Sequence, residues 1–359
     1  LVIDHYVPEA DDESRRIVRI ARDWASAQQL PHVYDSVGIC HVVLPQHGHL
    51  RPGMFCVGGD SHSPTGGAFG AYMFGIGSTE MLGVAVSGQI WVKVPQTLRM
   101  QWHNRLAAGV TAKDMMLHMI GRFGMNGGRY QAVEFCGAAV AALPMQERMT
   151  LSNMSAELGA QAGLVAPDAV TLDYLRSVGV HDEIDVAHWQ SDADAAAQTH
   201  EFDAAALEPQ VAAPHSPANT RDVSAFEDVA VQVAYIGACT GAKLADLRAA
   251  ASVLRGRRVA DGVQLVVAPA SVRDRDQAAS EGVLDVLEAA GAQFLATSCG
   301  ACAGYGSQIP EGSTVISSTA RNFKGRMGAQ TAQVYLGSPY TVAASALRGR
   351  IADPREVLA

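Results

Sequence analysis

The sequence predicts an α/β fold built on a parallel sheet. Glycine is abundant at 35 residues and aromatic residues make up only 6%, a balance typical of layered α/β domains with tight turns. Short apolar runs of strand length alternate with helical periodicity in the C-terminal part. A chain of 359 residues with 48% hydrophobic and 18% charged residues can bury a sizeable interior, and its length favours two or three domains.

The C-terminal part contains the most regular alternation. Strands are predicted at 231–236, 263–268 and 293–297, and helices between them at 243–255 and 273–290. Gly282 is a weak point inside the second helix. Because strands joined through helices run parallel in one sheet, the segment predicts βαβ units.

The N-terminal half shows a similar but less regular pattern. A strand is predicted at 54–58, before the glycine-containing segment 60–67, and a helix at 151–163 after Thr150. The stretch 191–228 is rich in Ala, Asp and Pro with little periodicity. We expect a linker between domains in this stretch, at 206–228.

The charge balance argues against two classes of partner. Subtracting 36 acidic from 27 basic residues gives a net charge of -9, and no lysine and arginine cluster stands out. Nucleic acids and membrane surfaces both attract clustered positive charge, so we expect neither as a partner. No apolar run approaches the ~20 residues that span a bilayer, and we expect a soluble, cytoplasmic protein.

The cysteines are scattered along the chain, a pattern that favours reduced thiols over a disulfide scaffold. Cys239 follows the first predicted C-terminal strand, and Cys299 and Cys302 follow the third. Because the carboxyl ends of parallel strands meet at one edge of a sheet, we expect these three thiols to converge. The other three, Cys40, Cys56 and Cys136, are expected to be ordinary buried thiols.

The motif Cys299-Gly300-Ala301-Cys302 alone allows four interpretations: a redox dithiol, half of a zinc site, part of an iron–sulfur site, or two structural thiols. A structural zinc site needs four ligands, and no fourth cysteine or histidine lies nearby in sequence. A redox dithiol does not need Cys239. Three thiolates suit a four-iron cluster in which one iron has no protein ligand and acts as a Lewis acid, although spacing alone leaves the alternatives open.

Several histidines lie near acidic residues, which orient an imidazole and raise its basicity for acid–base chemistry. Three such motifs are Asp4-His5, Cys40-His41 and Asp60-Ser61-His62. Asn153 and Glu157 lie about one helical turn apart. A single Asp-His pair is more often a surface turn than a catalytic dyad, so these motifs predict a site only together.

Two arginines, Arg321 and Arg326, lie five positions apart in a segment rich in Ser, Thr and Gly. Guanidinium groups bind carboxylates through paired hydrogen bonds, so the two side chains are candidates for holding an acidic substrate. Without other support, they would be ordinary surface arginines.

Together these motifs resemble the aconitase superfamily, in a consistent order over nearly the whole chain. The residues that carry the resemblance are Asp4-His5, Asp60-Ser61-His62, Asn153-Met154-Ser155-Ala156-Glu157, Gly237-Ala238-Cys239-Thr240, Cys299-Gly300-Ala301-Cys302 and Arg321-Asn322-Phe323-Lys324-Gly325-Arg326. The compact length and the ending Ile351-Ala352-Asp353-Pro354 are most similar to large subunits of the isopropylmalate dehydratase branch.

The resemblance implies three α/β/α layered domains around a central 4Fe-4S cluster held by Cys239, Cys299 and Cys302, with one iron lacking a protein ligand. We place these domains at 1–100, 101–205 and 229–359. Several dozen residues precede Asp4-His5 in the family, so the first domain is expected to be incomplete.

The resemblance also implies a hydro-lyase that removes water from a hydroxy di- or tricarboxylic acid and adds it back in the opposite sense. The implied catalytic residues are Asp4, His5, His41, Asp60, His62 and Glu157. The implied substrate-binding residues are Ser61, Asn153, Arg321 and Arg326. A separate small subunit is implied as a partner, because the family's base is a serine on a swivelling domain that this chain lacks.

Four positions depart from the family pattern. The family usually has Ser, Asn and Asn where this chain has Ala238, Gly241 and Ala320, and Pro where it has Ala301. These changes keep two alternatives open: a related hydro-lyase acting on homoaconitate or a secondary-metabolism acid, and a non-catalytic binding protein with the same fold. A dithiol oxidoreductase is a third alternative.

Overall fold

Strands and helices alternate along most of the chain. The structure, a computed structural model, describes residues 1–192, 194–195, 197–305 and 309–358. In these ranges the strands, β1 to β15, are Val2–Ile3, Tyr34–Asp35, Phe55–Gly58, Tyr72–Gly75, Thr97–His103, Ala132–Cys136, Ala162–Val165, Gln198–Asp203, Gln210–Ala212, Thr220–Asp222, Val233–Ile236, Gln264–Val267, Ala292–Phe294, Thr314–Ser317 and Gln333–Leu336. The α-helices, α1 to α11, are Asp12–Ala27, Cys40–Gln46, Ser78–Ser87, Ala112–Phe123, Ala138–Ala141, Met145–Met154, Ala169–Ser177, Leu244–Leu254, Val272–Ser280, Val283–Ala290 and Pro339–Arg348.

None of the helices described is both long and apolar enough to cross a membrane. The chain forms two compact units. Unit 1 comprises Leu1–Val43, Ala108–Val110 and Glu208–Ala359, and unit 2 comprises Leu44–Ala107 and Thr111–Leu207.

The grouping of the N-terminal residues with unit 1 differs from the predicted domain at 1–100. Backbone hydrogen bonds explain it: the Ile39 N–H donates to the carbonyl of Ala270, and the Val272 N–H donates to that of Val37. Long-range backbone pairing of this kind leaves no signal in local sequence periodicity.

Unit 1 is built on a seven-stranded sheet with the order β10-β9-β15-β14-β11-β12-β13. The five strands from β15 to β13 are parallel, and β9 and β10 add an antiparallel edge. The three strands predicted from the sequence are β11, β12 and β13, which lie side by side. The predicted parallel sheet of βαβ units is therefore confirmed.

The helices between these strands also follow the prediction. Helix α8 matches the helix predicted at 243–255, and it buries Leu247, Ala251 and Leu254 on one face. The helix predicted at 273–290 is divided into α9 and α10 at Gly282, whose φ of 70° is left-handed. Glycine adopts this conformation without steric cost, so the predicted weak point at Gly282 is the boundary between helices α9 and α10.

The segment predicted as a linker, 206–228, is instead part of the sheet. Strands β9 and β10 pair antiparallel, and all three residues of β9 are buried. Each of these strands has only three residues, too short for apolar alternation to be visible. Prolines flank them at 209, 214 and 217, and strand edges tolerate such neighbours.

Unit 2 contains a four-stranded parallel sheet in the order β7-β6-β5-β8 and a separate parallel pair, β3 and β4. Strand β3 matches the strand predicted at 54–58. A buried 3₁₀ helix, Ser63–Phe69, packs against α6 and β7. Gly67 makes this close packing possible, because a Cβ there would overlap the carbonyl oxygen of Gly163.

The predicted range of the helix at 151–163 is wrong at both ends. Helix α6 begins after Pro144 and ends at Met154, and a turn follows at Gly159 with φ of 78°. Thr150, which resembles an N-cap in the sequence, lies inside α6. Proline favours the first positions of a helix, so Pro144 was the better signal.

Candidate active site

Three thiols come together at the carboxyl edge of the unit 1 sheet. Cys239 follows β11, and Cys299 and Cys302 follow β13, at the ends of parallel strands. Burial raises the pKa of Cys299 well above its ordinary value, and the negative charges of Asp4, Cys239, Cys302 and Cys40 add to this increase. The effect of Cys239 and Cys302 on Cys299 supports the convergence predicted from the sequence, and the use of the three thiols as ligands stays a prediction.

The turn that carries Cys239 is held by Ser318. Its Oγ accepts a hydrogen bond from the Gly237 N–H at 2.9 Å and lies 3.2 Å from the carbonyl of Gly241. The Thr240 hydroxyl donates to the Ser318 carbonyl at 3.0 Å. A Cβ at Gly241 would overlap the Ser318 side chain, so the absence of a side chain at 241 makes this contact possible.

A buried lysine supports the same turn from the start of α8. The Lys243 ammonium donates to the carbonyl of Cys239 at 3.0 Å and to Asp246 at 2.7 Å. Both side chains of this ion pair are buried. Such a pair is tolerated because each charge keeps its partner, and it fixes the backbone at Cys239.

Asp4 and His5 lie beside Cys299. The Asp4 carbonyl accepts from the Cys299 N–H at 3.2 Å, and one potential ligand atom from each of the three side chains lies within 4.8 Å of the others. Nδ1 of His5 is 2.9 Å from the Asp4 carboxylate, whose other oxygen accepts from the Cys40 N–H at 2.7 Å. The side chain of His5 remains 41% exposed, so the ring is accessible to a small molecule.

The Asp4 carboxylate is ionised at neutral pH. Burial alone would raise its pKa, but the hydrogen bond and charge of His5 and the Cys40 N–H outweigh burial, and the pKa falls below its ordinary value. An ionised acceptor at Asp4 orients the His5 ring and favours a proton on its Nδ1.

The arginine segment packs against the same edge. Nε of Arg326 donates to the Cys302 carbonyl at 2.7 Å. Asn322 anchors the turn, since its amide donates to the carbonyls of Ala213 and Val334 at 2.8 and 3.0 Å. Arg321 is partly exposed one residue before this anchor.

Unit 2 brings together a second group of predicted residues. Nε2 of His62 lies 2.9 Å from Glu157, and both side chains are buried. Asp60 accepts from the His62 N–H at 2.7 Å, and its carboxylate is 3.5 Å from Nδ1 of the same ring. The imidazole is thus held by a carboxylate near each nitrogen.

Asn153 belongs to this group, whereas Ser61 is exposed. The Asn153 amide donates to the Thr65 hydroxyl at 2.8 Å, and that hydroxyl donates to the His62 carbonyl at 2.7 Å. Ser61 follows Asp60 on the surface of unit 2.

A sequence profile of the aconitase family (aconitate hydratase) matches residues 2–228 and 220–349 of this chain. The chain belongs to the aconitase family.

Similar members of the aconitase family carry the names of large subunits. The 3-isopropylmalate dehydratase large subunit 1 of Methanopyrus kandleri is 41% identical over 100% of this chain and 86% of its own length. The 3-isopropylmalate dehydratase large subunit of Desulfatibacillum aliphaticivorans is 39% identical over 99% and 85%. The probable methanogen homoaconitase large subunit of Methanosarcina mazei is 42% identical over 99% and 90%.

Family membership confirms the hydro-lyase class and the α/β fold predicted from the sequence. The roles of the individual site residues stay predictions. His41 is buried in α2, with Cys40 Sγ 3.6 Å from its ring. Since His41 belongs to unit 1 and Asp60 to unit 2, their pairing also stays a prediction.

Sequence reasoning missed residues that support the cysteine turns. Ser318 and Lys243 act on the Cys239 turn through tertiary contacts that local patterns do not encode. Tyr235, fully buried in β11, offered one signal: a hydroxyl-bearing aromatic in a strand otherwise made of small and aliphatic residues, two positions before Gly237.

The buried pair in unit 2 gives a testable stability prediction. Replacing Glu157 by alanine leaves His62 without its buried carboxylate, and we expect the free energy of unfolding to fall by about 3 to 5 kcal/mol. Chemical denaturation of the wild type and the variant measures this difference. The control is Glu201→Ala, which removes the partner of the exposed His103 and should leave stability nearly unchanged. Equal effects of the two variants would contradict a structural role for the buried pair.

Proposed function

We propose that this chain is the large subunit of a 3-isopropylmalate dehydratase, which isomerises its hydroxy acid by removing water and adding it back. The observation that carries the proposal is the position of three cysteines after the carboxyl ends of parallel strands in unit 1, with Cys299 beside His5. The three are Cys239, Cys299 and Cys302. The names of similar large subunits support the substrate.

The residues of unit 1 fit one 4Fe-4S cluster, with Cys239, Cys299 and Cys302 as ligands and one iron without a protein ligand. Thiolates are the usual ligands of such clusters. Burial first, and then the neighbouring negative charges, raise the pKa of Cys299, and bound metal cations would offset both effects. The buried Tyr235 hydroxyl, close to these loops, has no hydrogen-bonding partner within the described residues.

When bound, such a cluster supplies a Lewis acid for the substrate hydroxyl. His5, protonated and held by Asp4, gives its proton to the hydroxyl as it leaves as water. In rehydration the same ring takes a proton from the incoming water. The orientation of His5 by an ionised Asp4 supports this assignment.

We propose that Arg321 and Arg326 bind substrate carboxylates. The contact of Arg326 with the Cys302 carbonyl supports a position close to the cysteine loop, and Asn322 restricts the turn between the arginines. Ser61 and Asn153 are proposed as further polar contacts for the substrate.

For unit 2 we propose an acid–base role of His62, oriented by Glu157 and Asp60. A ring held by two carboxylates keeps a defined proton position, which acid–base catalysis requires. His41, paired with Asp60, is proposed as a further catalytic residue.

A small subunit with a swivelling domain and a catalytic serine is the proposed partner, since similar proteins are named large subunits. The serine would take the carbon-bound proton while His5 protonates the hydroxyl. We propose a cytoplasmic location, because reduced thiols are required as ligands.

A second candidate substrate is homoaconitate. The 42% identity to a probable homoaconitase large subunit favours it, as do the substitutions at Gly241 and Ala320 near the cysteine and arginine turns.

The test is co-expression with the small subunit, anaerobic reconstitution with iron and sulfide, and assay of a panel of hydroxy acids. We expect the highest kcat/KM for 3-isopropylmalate and no turnover by the large subunit alone. A highest kcat/KM for homoaconitate would establish the second candidate. A reconstituted complex that converts no hydroxy acid would contradict both.

A further inference from the structure

The Tyr235 side chain lies against the turns that carry the cysteines. Gly237 directly follows β11, and a Cβ there would overlap the Tyr235 ring and lie 2.7 Å from its hydroxyl oxygen. A Cβ at Gly300 would lie 3.8 Å from the same oxygen. The hydroxyl therefore lies between the turn of Cys239 and the turn of Cys299 and Cys302.

The Tyr235 side chain belongs to the buried hydrophobic core of unit 1. It is 1% exposed and is part of the same core cluster as Val266, Ala268, Ala301 and Met327. Its oxygen has no hydrogen-bonding partner in the ranges that the structure describes. Burying a hydroxyl without a hydrogen-bonding partner is unfavourable, whereas phenylalanine would fill almost the same volume without this cost.

The turns beside the Tyr235 hydroxyl carry the cysteine sulfurs, which are possible hydrogen-bond acceptors. Gly300, whose Cβ position lies 3.8 Å from the hydroxyl oxygen, directly follows Cys299 and lies two residues before Cys302. A phenol is protonated at neutral pH, so this hydroxyl is a hydrogen-bond donor.

We propose that the Tyr235 hydroxyl donates a hydrogen bond to a sulfur of the cluster and thereby raises the cluster's reduction potential. The inference rests on the proposed function, since it requires the cluster. A donor to sulfur stabilises the additional negative charge of the reduced state more than the oxidised state. Tyr235 is a positioning and tuning residue, distinct from the groups that contact substrate.

The test compares Tyr235→Phe with the wild type after anaerobic reconstitution, by an EPR-monitored redox titration. We expect the one-electron potential of Tyr235→Phe to shift to more negative values by about 59 mV, a tenfold change in the reduction equilibrium. The iron–sulfur vibrations in resonance Raman spectra should shift in D₂O for the wild type more than for Tyr235→Phe. The matched control is Tyr335→Phe, on β15 of the same sheet, two strands from β11, which should keep the wild-type potential.

The outcomes separate the two proposals. A wild type that assembles a cluster, with the same potential and the same D₂O shift in Tyr235→Phe, overturns the role of Tyr235 and leaves the proposed function intact. A wild type that assembles no cluster overturns both. A folded Tyr235→Phe protein that loses its cluster, while Tyr335→Phe retains it, supports the hydrogen bond.

Discussion

Replacing Cys302 by alanine is expected to abolish the broad visible absorption that reconstitution with iron and sulfide produces in the wild type, together with all turnover. Cys302 is one of three thiols at the sheet edge, and two thiolates cannot replace a three-thiolate site. Absorption spectra and iron content of the anaerobically reconstituted proteins measure the effect. The variant should remain folded by circular dichroism, since a small buried thiol is removed.

The matched control is Cys56→Ala, which removes a thiol from β3 in unit 2 and should retain the absorption. Cys239→Ala distinguishes the dithiol oxidoreductase, because a Cys-x-x-Cys redox motif keeps its activity without Cys239. Retention of the chromophore in Cys302→Ala, or a colourless wild type, would contradict the cluster and favour a binding protein.

Replacing His5 by alanine is expected to lower kcat by about 10² to 10⁴-fold while the visible absorption stays unchanged. The ring is held by Asp4 beside Cys299, and its loss removes the proposed proton donor without removing a thiol. Steady-state assay of the complex with its small subunit, together with the absorption spectrum, measures both effects.

The control for this prediction is His103→Ala, on the exposed end of β5, which should leave kcat unchanged. Asp4→Asn should also lower kcat, since the amide no longer supports the imidazolium. Because the pKa of Asp4 lies below its ordinary value, its ionised form stabilises the fold above about pH 4, and this contribution is lost as the pH falls through the folded-state pKa. Wild-type kcat in His5→Ala would exclude His5 as the proton donor.

The sequence predicted the fold best where the relevant pattern is local. Strands β11, β12 and β13 and the helices between them follow one another within residues 233–294, so periodicity and Gly282 were sufficient to place them. The prediction of a linker at 206–228 is wrong because β9 and β10 are short, and because β9 pairs with β15, which is far away in the chain. The predicted limits of α6 are wrong because the helix begins directly after Pro144, whereas Thr150 lies inside it.

The candidate site shows the same difference between residues predicted from local sequence and residues assigned only by tertiary contacts. Asp4 and His5 are adjacent in sequence, and Cys299 and Cys302 belong to one short motif. The strand-end argument placed Cys239 at the same sheet edge as Cys299, where the structure also has it. The role of the three thiols as ligands stays a prediction. The supporting contacts of Ser318, Lys243 and Tyr235 are made between segments far apart or in the buried interior. Their residue types are ordinary, so only the packing of unit 1 assigns them to the cysteine turns.

In the proposed function, three cysteines hold a 4Fe-4S cluster, and the iron without a protein ligand binds the hydroxy acid. The Mössbauer spectrum of the reconstituted large subunit with its small subunit, recorded with and without 3-isopropylmalate, tests this claim directly. The predicted result is four irons per chain, with the signal of one iron changing on addition of the acid and the other three unchanged. A spectrum that does not respond to any hydroxy acid of the panel, or a chain that holds no iron, would contradict the claim.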